Sequence, residues 1–187
     1  MQKSTKILIA VIAIIAVLAI AVISSYNGLV TAKSTVDEQY SNIQTNLQRR
    51  SDLIPNLVNT VKGYTTHESE VLQNISDART KLATASNAKD AAEADSELSS
   101  AVSRLLVVVE NYPDLKADTQ FTALTDELSG SENRISVART RYNEAAKAYN
   151  VKIKKFPTVI AANLFGFDAV EYFEAAEGAQ NVPQVQF

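Results

Sequence analysis

The chain of 187 residues has no cysteine, one histidine, five glycines and four prolines. Without cysteine it can form no disulfide scaffold, thiolate zinc site, iron–sulfur cluster or cysteine nucleophile. His67 alone cannot supply a site that needs two imidazoles. The net charge of −3 argues against nucleic-acid binding, which normally requires a basic face. Because glycine and proline are scarce, turns should be few and the composition favours long helices.

An uninterrupted apolar run occupies residues 7–23 and contains seven Ile, two Leu, three Val and five Ala. At about 1.5 Å per residue a helix over this run reaches about 25 Å, slightly less than the hydrocarbon layer of a bilayer. Ser24, Ser25 and Tyr26 extend it, and tyrosine suits the headgroup boundary. We therefore predict a transmembrane helix over residues 7–26 that binds the chain to the lipid bilayer.

Positive charge flanks the run on its N-terminal side, at Lys3 and Lys6. The positive-inside rule predicts that residues 1–6 are cytoplasmic and that the chain is a single-pass protein of the cell membrane. The lysines also suit a cleaved signal peptide, since Ala19 and Ala21 have the spacing of a cleavage site. However, the apolar run exceeds the roughly 7–15 residues of a signal core, which favours an uncleaved anchor.

Beyond the run, apolar residues recur three and four positions apart, as on one face of a helix. Val36, Tyr40, Ile43 and Leu47 illustrate the pattern. We predict an all-α fold, in which the transmembrane helix continues into a long antiparallel bundle of about four helices over residues 27–157. Residues 158–187 are predicted to form an irregular tail with one short helix, packed on or near the bundle.

Prolines and capping residues predict where the helices end. Pro55 fits either a kink or a new helix start capped by Asp52, so we expect the first helix to bend near residue 52. Further breaks are predicted at residues 84–90, where Ser86, Asn87 and Asp90 offer caps, and at residues 111–114. A last long helix is expected over about residues 118–156.

Polar residues accompany the predicted packing seams, including two Tyr–Asn pairs seven residues apart on one helix. Buried asparagines in a bundle cost stability and fix the register of its helices. The set is interpreted as a surface for a partner helix, as an internal polar network, or as side chains that are simply exposed to solvent. Its members are Arg49, Arg50, Asn56, Asn133, Arg134, Arg139, Tyr142, Asn143, Tyr149 and Asn150.

The tail concentrates apolar side chains, with Phe165, Phe167, Tyr172 and Phe173 as candidate contact residues. It could pack over the bundle, lie on the membrane or bind a partner. We expect packing, because scattered acidic residues and the lack of basic residues after Lys155 disfavour adsorption to lipid. The terminal residues 185–187 also suit a groove that captures an apolar C-terminus.

Catalytic and cofactor signatures are absent from the sequence. There is no glycine-rich phosphate loop and no Gly-x-Ser-x-Gly elbow. We therefore predict a protein that is not an enzyme, with no catalytic, cofactor-binding or metal-binding residues. The alternative is a membrane-bound metal protein or hydrolase that uses His67, Glu68 and Glu70, although these lack the spacing of known zinc motifs.

Several strings in order resemble the LemA family of bacterial membrane proteins over nearly the whole chain. They include Arg49-Arg50-Ser51-Asp52-Leu53-Ile54-Pro55-Asn56, Asn111-Tyr112-Pro113-Asp114-Leu115, Glu132-Asn133-Arg134-Ile135 and Leu164-Phe165-Gly166-Phe167.

The resemblance implies one N-terminal span, a helical body, no established catalytic activity and no catalytic residues to carry over. It also implies a role in envelope organisation or quality control, since related proteins are associated with magnetosome formation and genes of the family often lie near that of a membrane metalloprotease. The anchor, the long helices and the missing catalytic signatures lead us to predict a membrane-anchored helical interaction or scaffold protein of the bacterial cell envelope. Expected partners are membrane or envelope proteins, including a membrane protease, and other copies of the chain. No cofactor is expected.

Overall fold

The computed structural model describes residues 3–64 and 68–173, and the described part contains helices but no strand. The helices are α1 (Lys3–Lys62), α2 (Ser69–Thr84), α3 (Ala88–Val109), α4 (Pro113–Lys116), α5 (Thr119–Lys154) and α6 (Thr158–Phe165). The prediction of an all-α fold is confirmed. The short helix expected in the tail is α6, and residues 167–173 have no regular secondary structure.

The chain divides into two compact units. The first comprises Met1–Glu38 and Asn143–Val170, and the second comprises Gln39–Tyr142 and Glu171–Phe187. Helices α1 and α5 therefore each contribute residues to both units, whereas α2, α3 and α4 belong to the second unit and α6 to the first.

In the first unit, the N-terminal part of α1 is long and apolar enough to cross a membrane. Residues 5–20 are exposed on every face of the helix, with Ile7 65% and Ile20 67% exposed. Burial of α1 begins at Leu29, which is fully buried. A helix that is apolar on every side and covered by nothing else in the described chain matches the composition of a membrane span.

The second unit is a helical bundle in which α1 and α5 run antiparallel. The ring of Tyr40 lies 5.8 Å from that of Tyr142, while near the other end of α1 the Tyr64 hydroxyl donates to Asp118 at 2.8 Å. Helices α2 and α3 also pack together. Apolar stripes on α1, α2, α3 and α5, together with Leu115 of α4, form the core. Its other fully buried large side chains include Ile43, Ile54, Leu57, Ile75, Leu98, Leu105 and Ile135.

The helix boundaries agree with most of the capping signals. Asn87 caps α3, and its side-chain oxygen accepts from the Asp90 amide at 2.8 Å, as the break at residues 84–90 predicted. Asp118 precedes α5 and accepts from the Phe121 amide at 2.8 Å. Because this amide and then the Tyr64 hydroxyl stabilise the carboxylate, the pKa of Asp118 is lowered. Gly166 ends α6 at φ 71°, a left-handed conformation that glycine adopts without strain.

Of the two alternatives at Pro55, the new helix start capped by Asp52 is wrong, because α1 continues through Pro55 to Lys62. Proline has no amide hydrogen, so the Ser51 carbonyl loses the donor that residue 55 would normally supply. Instead, Nε of Arg79 in α2 donates to the Ser51 carbonyl oxygen at 3.0 Å. A donor from another helix thus replaces the hydrogen bond that proline cannot make. The sequence around Pro55 does not reveal this contact.

We expect the Arg79→Ala variant to lose about 1–3 kcal/mol of unfolding free energy, because a buried carbonyl is left without its donor. Chemical unfolding of the detergent-solubilised chain, followed by circular dichroism, measures this loss. In a Pro55→Ala background the amide of residue 55 can bond to the Ser51 carbonyl, so Arg79→Ala should cost less. Equal costs in both backgrounds would show that Arg79 does not serve this carbonyl.

Candidate functional site

A buried charge cluster lies between α1, α3 and α5 in the second unit. Arg50 donates through Nη1 to Asp95 Oδ1 at 2.7 Å and to Glu132, and through Nη2 to Ser99 Oγ at 3.0 Å. Arg139 forms a second ion pair with Asp95. Asp95 is fully buried and Arg50 is 4% exposed. The cluster therefore joins three helices inside the core.

The helical period places these charges in the core. On α3, Asp95 lies in the series of buried residues Ala91, Asp95, Leu98, Val102 and Leu105, whose steps alternate between four and three. On α1, Arg50 takes the corresponding place between the buried Leu47 and Ile54. Arg50 and Asp95 thus each occupy a core position that an apolar residue would normally fill. A charged side chain at the centre of a bundle needs a partner of opposite sign.

The cluster is electrostatically balanced, with two guanidinium groups and two carboxylates. Burial raises the pKa of the Asp95 carboxyl, and the charges of Arg50 and Arg139 act in the opposite direction. The Nε atoms of both arginines are buried without a hydrogen-bond partner among residues 3–64 and 68–173. With its carboxylate oxygens held by two cations and no exposed surface, Asp95 suits fixing helix register better than proton transfer.

Arg49 and Arg134, in contrast to Arg50, form ion pairs at the surface of the second unit. Both approach Glu127 at 2.7 Å, and both are well exposed. The hydrogen bond from Arg134, followed by the charge of Arg49, lowers the pKa of Glu127. Such exposed pairs contribute little to stability.

Tyr149 and Asn150 bind backbone within the first unit. The Tyr149 hydroxyl donates to the Asp168 carbonyl at 2.9 Å, and the Asn150 amide exchanges two hydrogen bonds with the backbone of Val170 at 2.8 and 2.9 Å. Burial, followed by the charges of Asp168 and Asp37, raises the pKa of Tyr149. These predicted site residues hold the segment after α6 rather than face solvent.

The remaining members of the predicted polar face are dispersed. In the second unit the Tyr142 hydroxyl donates to the Glu171 carbonyl at 2.8 Å. Asn56 and Asn133 are exposed, and Asn143 in the first unit is half-buried. Within each unit, the buried members of the predicted set therefore bond to other groups of the protein, whereas Asn56 and Asn133 are exposed on the second unit.

Two of the grooves on the described part of the second unit involve α5. One, of about 440 Å³, lies between α1 and α5 and contains Asn133, Arg134, Val137 and Arg141. The other, of about 420 Å³, lies mainly between α3 and α5, and Arg50 reaches it from the charge cluster. Small hydroxyl side chains line much of this second groove, namely Ser99, Ser103, Thr125 and Ser129.

The predicted tail contacts fall in different places. In the first unit, the rings of Phe165 and Phe167 lie 4.8 and 5.7 Å from that of Tyr26. In the second unit, Phe173 is buried and the Arg139 guanidinium lies 4.8 Å from the centre of its ring. Tyr172 is 40% exposed.

The alternative site of His67, Glu68 and Glu70 is described in part. His67 and the terminal residues 185–187 lie outside the described residues. Glu68 accepts from the Tyr112 hydroxyl at 3.1 Å. Across residues 3–64 and 68–173, no group of three His, Cys, Asp or Glu side chains is arranged to hold a metal ion.

Sequence reasoning missed Asp95, Ser99 and Glu132 as members of the buried cluster. A signal for Asp95 is present in the sequence, because extending the stripe of Leu98, Val102 and Leu105 by one step toward the N-terminus reaches an acidic residue. An acidic residue at a core position predicts a buried cation nearby. No corresponding signal marks Ser99, whose role depends on where Arg50 lies.

Comparison with known proteins connects these features to one family. The sequence model of the LemA family matches residues 39–187. Protein LemA of Metamycoplasma hominis is 30% identical over 152 residues, which cover 81% of this chain and 69% of that protein. Magnetosome protein MamQ 2 of Paramagnetospirillum magneticum is 28% identical over 179 residues, covering 82% of this chain and 66% of the relative.

A further relative is the magnetosome protein MamQ of Magnetospirillum gryphiswaldense, 27% identical over 178 residues, with 81% of this chain and 65% of the relative covered. The chain thus spans slightly less than two-thirds of the length of these MamQ relatives.

Proposed function

The chain belongs to the LemA family, and from this premise we propose that it is a membrane-anchored helical scaffold of the bacterial cell envelope. It acts by binding other proteins and catalyses no reaction. The MamQ relatives are named for a cellular structure rather than for a reaction, which supports this role. Its N-terminus is cytoplasmic, as the flanking lysines favour.

The observation that carries the proposal is the continuity of α1. This helix of 60 residues is unbroken. Its N-terminal part is apolar and exposed on all sides, and its C-terminal part packs in the core of the second unit. No separate linker segment therefore lies between the apolar part of α1 and the part that packs in the second unit. Such an attachment suits a protein that presents a folded surface to membrane-bound neighbours.

The groove that contains Val137 is the surface proposed to bind these neighbours. It is lined by polar side chains around Val137, which is 52% exposed, and it lies between two helices. A partner helix can lie in such a groove with its side chains between those of α1 and α5. A membrane protease is one partner of this kind, and a second copy of the chain is another.

Site-specific photo-crosslinking in intact cells tests the proposal. A photo-reactive residue at Val137 should trap a defined protein in the membrane fraction, and Arg141→Glu in the groove should weaken that product. Val107, which is 71% exposed and lines neither groove, is the matched control. If Val137 and Val107 give the same products, or if Val137 gives none, the groove does not bind a protein and the scaffold role loses its support.

A further inference from the structure

Helix α6 carries an apolar surface that the first unit leaves uncovered. Phe156 is 80% exposed, and Ile160, Leu164 and Phe165 are 51%, 68% and 50% exposed. Phe156 precedes the helix and the other three lie on it, and we call these four residues the α6 surface. The opposite side of the helix packs into the unit through the buried Ala161 and Ala162. Large apolar side chains grouped in this way on a short helix mark a contact with a partner or with lipid.

The α6 surface lies beside the end of the candidate membrane span. The Phe165 ring contacts the ring of Tyr26 at 4.8 Å, and Tyr26 lies three residues after the apolar run, at the end of the predicted span. Lys152, near the end of α5, donates to the Gly28 carbonyl at 2.7 Å, at a point where glycine leaves room for the lysine side chain. The C-terminal end of α5 therefore lies beside Gly28 of α1, two residues after Tyr26, just before α6 begins.

The charges around α6 fit a lipid interface. The helix itself, Thr158–Phe165, contains no charged residue. Lys154 and Lys155 precede it and are exposed. Their ammonium groups can reach lipid phosphates while their methylene chains lie along apolar surface. The acidic Asp168 comes after the turn at Gly166, in the segment whose backbone Tyr149 and Asn150 hold against α5. Basic residues therefore precede the uncharged helix, and Asp168 lies beyond the turn that ends it.

We propose that α6 lies in the membrane interface, with the α6 surface inserted between lipid headgroups next to the span. This inference rests on the proposed anchoring of α1 in the bilayer. An interfacial helix of this kind buries its apolar face about 5–10 Å into the boundary between the headgroups and the acyl chains. The first unit is thereby fixed to the bilayer at two places, the span and α6, which restricts rotation of the chain about the span axis.

The test uses the full chain, which has no native cysteine, with single cysteines that carry nitroxide labels. The labelled protein is reconstituted into vesicles of phosphatidylethanolamine and phosphatidylglycerol. Collision of the label with oxygen, which concentrates in lipid, is compared with collision with a water-soluble nickel chelate. Labels at Leu164 and Ile160 report on α6, and a label at Ile14 reports on the span. A label at Glu144, exposed on α5 about 12 Å before Lys152, reports on water.

We expect the ratio of oxygen to nickel accessibility at Leu164 and Ile160 to exceed that at Glu144 several-fold and to approach that at Ile14. If Ile14 reports lipid while Leu164 and Ile160 report water, the inference is wrong and the anchor stands. If Ile14 also reports water, the proposed anchoring fails. Spin–spin broadening at Leu164 with low access to both reagents would show that a second copy covers α6, which also overturns the inference.

Discussion

Replacing Asp95 with alanine is expected to lower the free energy of unfolding by roughly 3–5 kcal/mol, because one partner of a buried charge cluster is removed. Asp95 is fully buried and pairs with both Arg50 and Arg139. After the replacement, Arg50 retains Glu132, but Arg139 loses the ion pair with Asp95. Denaturant unfolding of the detergent-solubilised chain, followed by circular dichroism, measures the loss.

The matched control is Glu97→Ala, two residues further along the same helix. Glu97 pairs with Lys81 at 2.6 Å, but both side chains are at least half exposed. An exposed pair of this kind contributes about 0–1 kcal/mol. Similar losses for Asp95→Ala and Glu97→Ala would show that the buried cluster does not stabilise the bundle.

A triple replacement separates the value of the cluster from the cost of breaking it. The variant Arg50→Met, Asp95→Leu, Arg139→Met leaves only Glu132 of the cluster, and its side chain is 44% exposed and can be solvated. Stability should therefore recover most of the loss seen with Asp95→Ala. If this variant also fixes the helices in one register, measured by retained near-ultraviolet circular dichroism of the tyrosines, the cluster is not required for specificity.

The fold was predictable because the bundle depends on periodicity, which is a property of the sequence. The stripes on α1, α3 and α5 lie where the three- and four-residue spacing placed them. Asn87 caps α3 because a side-chain oxygen at that point satisfies a free amide locally. The sequence could not decide between a kink and a new start at Pro55 for the opposite reason: the group that compensates for Pro55 is Arg79, which only the tertiary fold brings to Ser51.

The candidate site was predictable in part. Arg50 and Arg139 were candidates for an internal polar network, and both pair with Asp95 in the core. The roles of Tyr149 and Asn150 could not be derived, because their partners are backbone atoms of a segment about twenty residues away. Backbone carbonyls look the same at every position of a sequence, so composition and spacing carry no information about which one a tyrosine will meet.

The largest expected effect comes from placing charge in the span. Arginine at Ile14 and at Val17 should each add about 2.5–3.5 kcal/mol to the apparent cost of membrane insertion. Both positions lie inside the apolar run and are 60% and 65% exposed, so nothing in the described chain compensates the new charge. After carbonate extraction, we expect the double variant in the supernatant and the unmodified chain in the membrane pellet. The control is Val30→Arg, on the same helix but beyond Tyr26, which should stay in the pellet.

The same variant also tests whether the second unit folds independently of the anchor. Residues 5–20 are exposed throughout, so changing them removes no packing contact from the described chain. The core of the second unit begins at residue 39 and holds its own charge cluster. The released double variant should therefore unfold with the same cooperativity as the solubilised parent chain. A released but unfolded protein would mean that the membrane contributes to the stability of the bundle, because contacts within the protein would then be insufficient to maintain it.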